Sequence, residues 1–233
     1  AFTGQRFYSD RMDELLTNLH RRAGTDNLVL AGGCALNSSY NGRVTAQTPF
    51  RQLFVPPAPG DDGNAVGAAL LAWQQDHPGR PVPRTATPFL GSELEPGALD
   101  ALETHGRLPG MRRVTDTLLD EVAALLADGK LVGWVQGRAE FGPRSLGNRS
   151  LLADPRRADM KETINARVKF REAFRPFAPS ILDERGPDWF VDYAACPHME
   201  RCQLWRPEQR ARVPAVVHAD GTGRAQGVTR EAN

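Results

Sequence analysis

The chain has 233 residues, 40% of them hydrophobic and 24% charged, with a formal net charge of +1. These are globular values, and the length suits one large or two modest domains. No apolar run approaches the roughly twenty residues of a membrane span, and no basic stretch followed by an apolar one opens the chain as a secretory signal does. Cys34, Cys196 and Cys202 show no C-x-x-C spacing, which argues against a disulfide framework or a cysteine-built zinc site and fits a reducing cytoplasm. Basic residues are 26 Arg against 3 Lys. GC-rich coding produces such a bias unaided, so the positions of the arginines say more than their number.

Helical patterning starts almost at once after Ala1, which reads as a piece excised from a longer polypeptide. Met12, Leu15, Leu16 and Leu19 fall at helical spacing, which predicts a helix from a Ser9-Asp10 cap to Gly24. "NLVLAGG" reads as a short buried strand ending on two glycines, and "ALNSSYNGRVTAQ" as one helix. "QLFVPPAPGDDG" is a second strand running into a turn, and "NAVGAALLAWQQ" a small-residue helix suited to close packing on a sheet. Strand, glycine turn and helix, twice over, is an α/β pattern. Residues 76–97 then carry five of the eighteen prolines, a linker composition.

Beyond it, "DTLLDEVAALLADGK" is a helix with Leu118, Leu119, Val122, Leu125 and Leu126 in one stripe, Asp116 as cap and Gly129 as stop. "LVGWVQG" is a strand, "ADMKETINARVKF" a helix, and "RPFAPSIL" extended. The tail mixes short extended pieces such as "VPAVVHAD" with turns such as "ADGTGR".

Three constellations carry chemistry. Gly32 and Gly33 stand between a strand and a helix start, where backbone can approach an anion or simply turn tightly. Asp61 and Asp62 stand at a second such junction, where a carboxylate either ligates a metal near phosphates or caps the helix. No H-x-x-x-H or H-E-x-x-H occurs among His20, His77, His105, His198 and His218, so a metal at Asp62 needs ligands from outside the chain. Between Arg138 and Arg175 ten cations face five acids. Those in "FGPRSLGNR" and "KFREAFRPF" are interleaved with Gly, Phe and Pro, as suits guanidinium groups held against a wall to bind phosphate; structural ion pairs are the other reading. Arg156 and Arg157 read as surface residues. Cys34 reads as a packed thiol, Cys196 and Cys202 match no zinc spacing, and His218 and Arg224 are each compatible with a structural or a site role.

"GGCALNSSYNGRV", "PGDDGNAVGAAL", "GRAEFGPRSLGNRSLLADPRR", "KFREAFRPFAPSIL" and "VPAVVHADGTGRAQGV" occur in this order. Together they resemble the O-carbamoyltransferases of antibiotic biosynthesis and nodulation-factor modification, across essentially the whole chain. The resemblance implies an α/β protein in which residues 1–90 are the C-terminal part of an actin-like ATPase domain, similar to the tRNA threonylcarbamoyltransferases. Residues 91–233 would be a YrdC-like α/β domain lacking its end. It implies that carbamoyl phosphate and ATP, with Mg2+, give carbamoyl adenylate, and that the carbamoyl group passes to a hydroxyl of a small molecule at an Fe2+ site.

By the same resemblance Asp62 completes the metal site, while Gly32, Gly33, Gly60 and Arg171 lie against the nucleotide. Arg144, Lys169, Arg175 and Arg224 surround the carbamoyl and phosphate groups, where preorganised cations stabilise developing charge. Ser145 stands where the family pattern has Ala. The metal-binding histidines are expected before Ala1, and a final asparagine-containing motif after Asn233. Two other readings share these domain types, a tRNA threonylcarbamoylation enzyme and an RNA-binding module. The domain order and "EFGPRSLGNRS" favour the small-molecule enzyme, and the cation-rich region lacks the aromatic platform of single-strand binders. Nucleic acid and membrane are not expected partners. The chain alone, incubated with carbamoyl phosphate, ATP and a hydroxylated acceptor, is expected to give no carbamate ester; efficient turnover, read by mass spectrometry of the acceptor, would contradict this.

Overall fold

The computed structural model describes residues 2–82, 87–106, 109–170, 172 and 175–231. The first helix runs Phe2–Ala23, a full turn and more ahead of the expected cap. Ser9 is not a cap but a fully buried mid-helix residue, its hydroxyl within 3.4 Å of Gln5 Nε2. The helix does stop at Gly24, which takes φ 63° and donates its N–H to His20 O at 3.1 Å.

Strands β1 (Asn27–Val29) and β2 (Gln52–Phe54) pair in parallel, with Leu28 opposite Leu53. Only the central residue of each is buried. These two leucines join Leu16, Tyr40, Val44 and Phe50 in the first core cluster. The segment expected as one helix is instead a 3-10 turn, Gly33–Leu36, and two helical turns, Ser38–Asn41 and Val44–Gln47. Asn37 interrupts it at φ −74°, ψ 79°, accepting the N–H of Tyr40 on its side chain. At Gly42 the carbonyl of Cys202 comes so close that a Cβ would collide with it. The helix Asp61–Asp76 buries none of its residues and so does not pack on a sheet as expected.

Part of the expected linker is a strap. Gly91 donates to Ala139 O at 2.9 Å, Ala139 to Ser92 O at 2.8 Å, and Phe141 to Pro88 O at 2.7 Å. The helix Leu118–Ala127 begins after Thr117 rather than Asp116 and lies against β3. None of its residues is fully buried, and Leu119 is 71% exposed.

Strands β3 (Val132–Val135) and β4 (Arg149–Leu152) form an antiparallel hairpin, with Val135 opposite Arg149. The helix Met160–Ile164 continues as a π-turn, Asn165–Lys169. β5 (Ser180–Leu182) pairs in parallel with β8 (Gln226–Val228), and β6 (Gln203–Leu204) pairs antiparallel with β7 (Thr222–Gly223). The expected extended piece around Val213 is a 3-10 turn, Pro214–Val216, because Val213 and Val216 both turn into a core with Phe190 and Trp205. The described strands thus form four two-stranded sheets in a mixed α/β chain. No described helix is long and apolar enough to cross a membrane.

The early and late parts of the chain are joined through backbone groups. Cys202 N–H donates to Ser38 O at 2.9 Å, and Arg201 Nη2 to Leu53 O at 3.0 Å. Buried Asn41 donates from Nδ2 to both Ala35 O at 2.7 Å and Glu200 O at 2.8 Å. Replacing Asn41 by Ala strands two buried carbonyls and is expected to cost about 2 kcal/mol or more. A lower urea midpoint at constant slope checks this; an unchanged midpoint would show that the junction does not depend on Asn41.

Candidate anion-binding site

The stretch richest in arginine, residues 137–157, contains the loop between β3 and β4, and that loop is built around one acid. Glu140 Oε1 accepts three backbone N–H groups, from Leu146 at 2.7 Å, Asn148 at 2.8 Å and Arg149 at 3.2 Å. Burial works to raise its pKa, but these donors prevail and hold it below the ordinary carboxylate range. At Gly142, φ 129°, a Cβ would stand 2.7 Å from Pro57 O, so only glycine lets the loop close on the β2 side of the molecule.

Four of the five arginines in this stretch have structural partners. Arg138 Nη2 donates to Leu90 O at 3.0 Å, and Arg149 Nη1 to Gln136 O at 2.8 Å. Exposed Arg156 pairs with buried Asp154 at 2.7 Å, and Arg157 with Asp159 at 2.8 Å at the surface. Arg144 differs. Its Nη2 donates to Leu36 O at 3.1 Å, while its Nη1 is buried with no hydrogen-bond partner.

Arg224, two residues before β8, comes beside it. Buried Gln226 donates from Nε2 to Leu146 O at 2.7 Å and so ties β8 to the loop that carries Arg144. Arg224 Nε is also buried and unpartnered. Burial lowers the Arg144 pKa and the positive charge of Arg224 lowers it further, with Glu200 opposing. Glu200, 4% exposed, is already engaged: its Oε2 accepts from His198 N at 3.1 Å and Cys196 Sγ at 3.2 Å, and its Oε1 lies 3.7 Å from Arg201 Nε. Two neighbouring guanidinium groups with free buried N–H donors and no bonded carboxylate suit a phosphate-bearing ligand. Burial raises the pKa of both Cys196 and Cys202, which keeps these thiols protonated rather than nucleophilic.

His218 also feels the charge of Arg224. Its Nδ1 is 3.0 Å from Thr222 Oγ1 and 4.0 Å from Cys202 Sγ, and its Nε2 is buried without a partner. Burial holds its pKa below the ordinary histidine value, and Arg224 adds to this while Asp220 opposes it.

The other expected site residues lie elsewhere. Lys169 is exposed at the end of the π-turn, and Arg175 is exposed and paired with Glu172 at 3.3 Å, so neither is brought against Arg144. Arg171 lies outside the described residues. Gly32, at φ 96°, donates its N–H to Pro59 O at 2.7 Å, which joins the two glycine turns. Gly33 opens the 3-10 turn and Gly60 precedes the Asp61–Asp76 helix.

Gly32, Gly60, Phe89, Leu90, Phe141 and His198 are among the residues lining a mainly apolar cavity of about 640 Å³. Burial lowers the His198 pKa, Glu200 opposes this, and Arg144 lowers it further, so His198 stands between cavity and cations. Asp62 is exposed, its Oδ1 accepting the N–H of Gly63 at 3.1 Å, and neither it nor Asp61 caps the helix. Among the described residues no three His, Cys, Asp or Glu side chains gather as a metal site. Asp62 fits a metal as a single ligand only.

Sequence reasoning passed over Glu140 and Glu200. Glu140 registered only as one acid among cations, although its place six residues before Leu146 in a glycine-rich loop is a signal for a carboxylate gathering backbone N–H groups. Glu200 drew no attention, although its side-chain partners Cys196, His198 and Arg201 all lie within four residues of it.

Two family models match the chain. The carbamoyltransferase N-terminus covers residues 2–70 and the carbamoyltransferase C-terminus residues 123–233. The chain belongs to the carbamoyltransferase family. It is 42% identical over 223 residues to nodulation protein NolO of Bradyrhizobium diazoefficiens, covering 92% of this chain and 40% of that protein. It is 36% identical over 236 residues to nodulation protein U of Sinorhizobium fredii, covering 99% of this chain and 40% of that one. An uncharacterized protein of Synechocystis is 39% identical over 241 residues, covering 92% and 39%. The chain therefore spans about two fifths of the length of these relatives.

His198 and His218 bind protons more readily in the unfolded chain than in the folded one, since folding lowers both pKa values. Stability is then fully present above the unfolded value near 6.5 and is lost as pH falls through that value toward the folded ones, by about 1.4 kcal/mol per unit of separation. The melting temperature is expected to drop between about pH 7 and pH 5; a flat profile over that range would contradict the burial of these imidazoles.

Proposed function

We propose that the chain forms part of an ATP-dependent O-carbamoyltransferase. In this reading carbamoyl phosphate and ATP, with Mg2+, give carbamoyl adenylate, and the carbamoyl group then passes to a hydroxyl of a small molecule. Residues 1–90 belong to an actin-like transfer domain and residues 91–233 to a YrdC-like adenylate-forming domain. The observation that carries it is the pair of free, buried N–H donors on Arg144 and Arg224, in a chain whose relatives include nodulation proteins NolO and U.

Arg144 and Arg224 hold the phosphate of carbamoyl phosphate. The Arg144 guanidinium is held by Leu36 O before the ligand arrives, so little reorganisation of it accompanies the development of charge. Lys169 and Arg175, both exposed, supply further cations to the bound phosphates, and Arg171 joins them. The apolar cavity beside His198 takes the nucleoside, with the backbone of Gly32, Gly33 and Gly60 against it. Asp62 gives one ligand to an iron ion whose other ligands come from outside this chain. When bound, that ion polarises the carbamoyl carbonyl.

The two steps separate by mutation in an enzyme of the relatives' full length that carries these residues. Arg144→Ala is expected to abolish carbamoyl phosphate-dependent release of pyrophosphate from ATP, by about a hundredfold or more. Asp62→Ala is expected to spare that release and impair formation of the carbamate ester. Equal loss of both steps in both variants would overturn the two-site reading, and pyrophosphate release that needs RNA would point to a nucleic-acid substrate instead.

A further inference from the structure

We propose that His218 reads the amide of the carbamoyl donor, its Nε2 accepting an N–H from the –NH2 group while Arg144 and Arg224 hold the phosphate. The inference rests on the reading of the paired arginines as a carbamoyl phosphate site.

The protonation of the imidazole follows from its neighbours. Thr222 Oγ1 lies 2.7 Å from Asp220 Oδ1, which also accepts the backbone N–H of Thr222 at 3.0 Å. Burial works to raise the Asp220 pKa, but these two bonds prevail, so the group is a carboxylate that only accepts. The single hydroxyl proton of Thr222 is therefore committed to Asp220. Thr222 Oγ1 meets His218 Nδ1 at 3.0 Å as an acceptor, and Nδ1 carries the hydrogen. A neutral imidazole has one N–H, which leaves Nε2 with a bare lone pair.

That lone pair is buried and has no donor among the described residues. Nearby Arg224 does not satisfy it, for its own buried Nε is also unpartnered. A buried acceptor without a donor is costly, and such groups mark places where a ligand completes the bonding. The missing partner is a group that donates a hydrogen and stands next to an anion held by two arginines. The carbamoyl –NH2 meets both conditions. The methyl of acetyl phosphate, of nearly the same shape, meets only the second. Asp220, Thr222 and His218 thus form a relay that fixes the tautomer, and the tautomer selects an amide over a methyl.

Binding of carbamoyl phosphate and of acetyl phosphate to the 233-residue chain, by titration calorimetry, tests this. The unmodified chain is expected to prefer carbamoyl phosphate by about tenfold, the scale of one buried hydrogen bond. His218→Asn keeps a donor toward Thr222 and deletes the Nε2 acceptor; the ratio is expected to fall close to one, chiefly through weaker carbamoyl phosphate binding. His218→Gln, which can place an amide oxygen where Nε2 stood, is expected to restore part of the preference. Thr222→Val releases the tautomer and is expected to lower the ratio with the imidazole still present, an effect that loss of packing would not produce, and circular dichroism checks that each variant is folded. Equal affinity for both anions in the unmodified chain, or a preference that survives His218→Asn, overturns the inference and leaves the arginine site standing. No binding of either anion, or binding indifferent to Arg144→Ala, overturns the phosphate reading and this inference with it.

Discussion

Two neighbouring, half-buried like charges set the terms for this molecule. Arg144 and Arg224 each keep a buried N–H with no partner, and Arg144 feels Arg224 strongly enough to lower its own pKa on top of burial. A partly desolvated cation normally takes a carboxylate. The buried acid in reach, Glu200, is already held by a thiol, a backbone N–H and Arg201. The frame around the two arginines is instead held by bonds to backbone groups: three N–H donors on Glu140, the Leu146 carbonyl on Gln226, the Leu36 carbonyl on Arg144. Donors organised before a ligand arrives are what selective anion binding requires.

The apolar cavity and the cations meet at His198, which lines the first and responds electrostatically to the second. The same residue donates its backbone N–H to Glu200. One short stretch, Cys196 to Cys202, therefore shapes the cavity wall, supplies the buried acid and contacts the early part of the chain through Cys202 and Ser38. Burial raises the Cys196 and Cys202 pKa values and lowers that of His198, so three of its residues depart from ordinary titration.

Much of this was legible in the sequence where one residue type decides the outcome. Gly24 and Gly129, at φ 63° and 79°, stop their helices as their positions predict. The mixed α/β class followed from strands that run into glycine turns. Arg144 and Arg224 entered as site candidates through the family resemblance, and the structure adds that each carries a buried, unpartnered N–H. Legibility failed where a distant contact decides. Gly42 ends a helical run because Cys202 arrives more than a hundred residues later. Ser9 looks like a cap but is buried in a helix that begins earlier. The leucine stripe of Leu118–Ala127 has a regular period, yet period alone does not say what covers it, and Leu119 stays exposed. Lys169 and Arg175, placed near phosphate by resemblance, are exposed in the folded chain, which their sequence positions did not foretell.

The junction between Ser38–Asn41 and Glu200–Cys202 has a mechanical meaning. Its bonds run from backbone to backbone, or from a buried amide to two carbonyls, and the close approach at Gly42 leaves no slack. Sliding or hinging one part over the other would break these bonds together and bring no compensating contact. The glycine turns on one side and the arginine pair on the other are thus fixed points of a single frame. A small molecule that visits both must itself do the travelling.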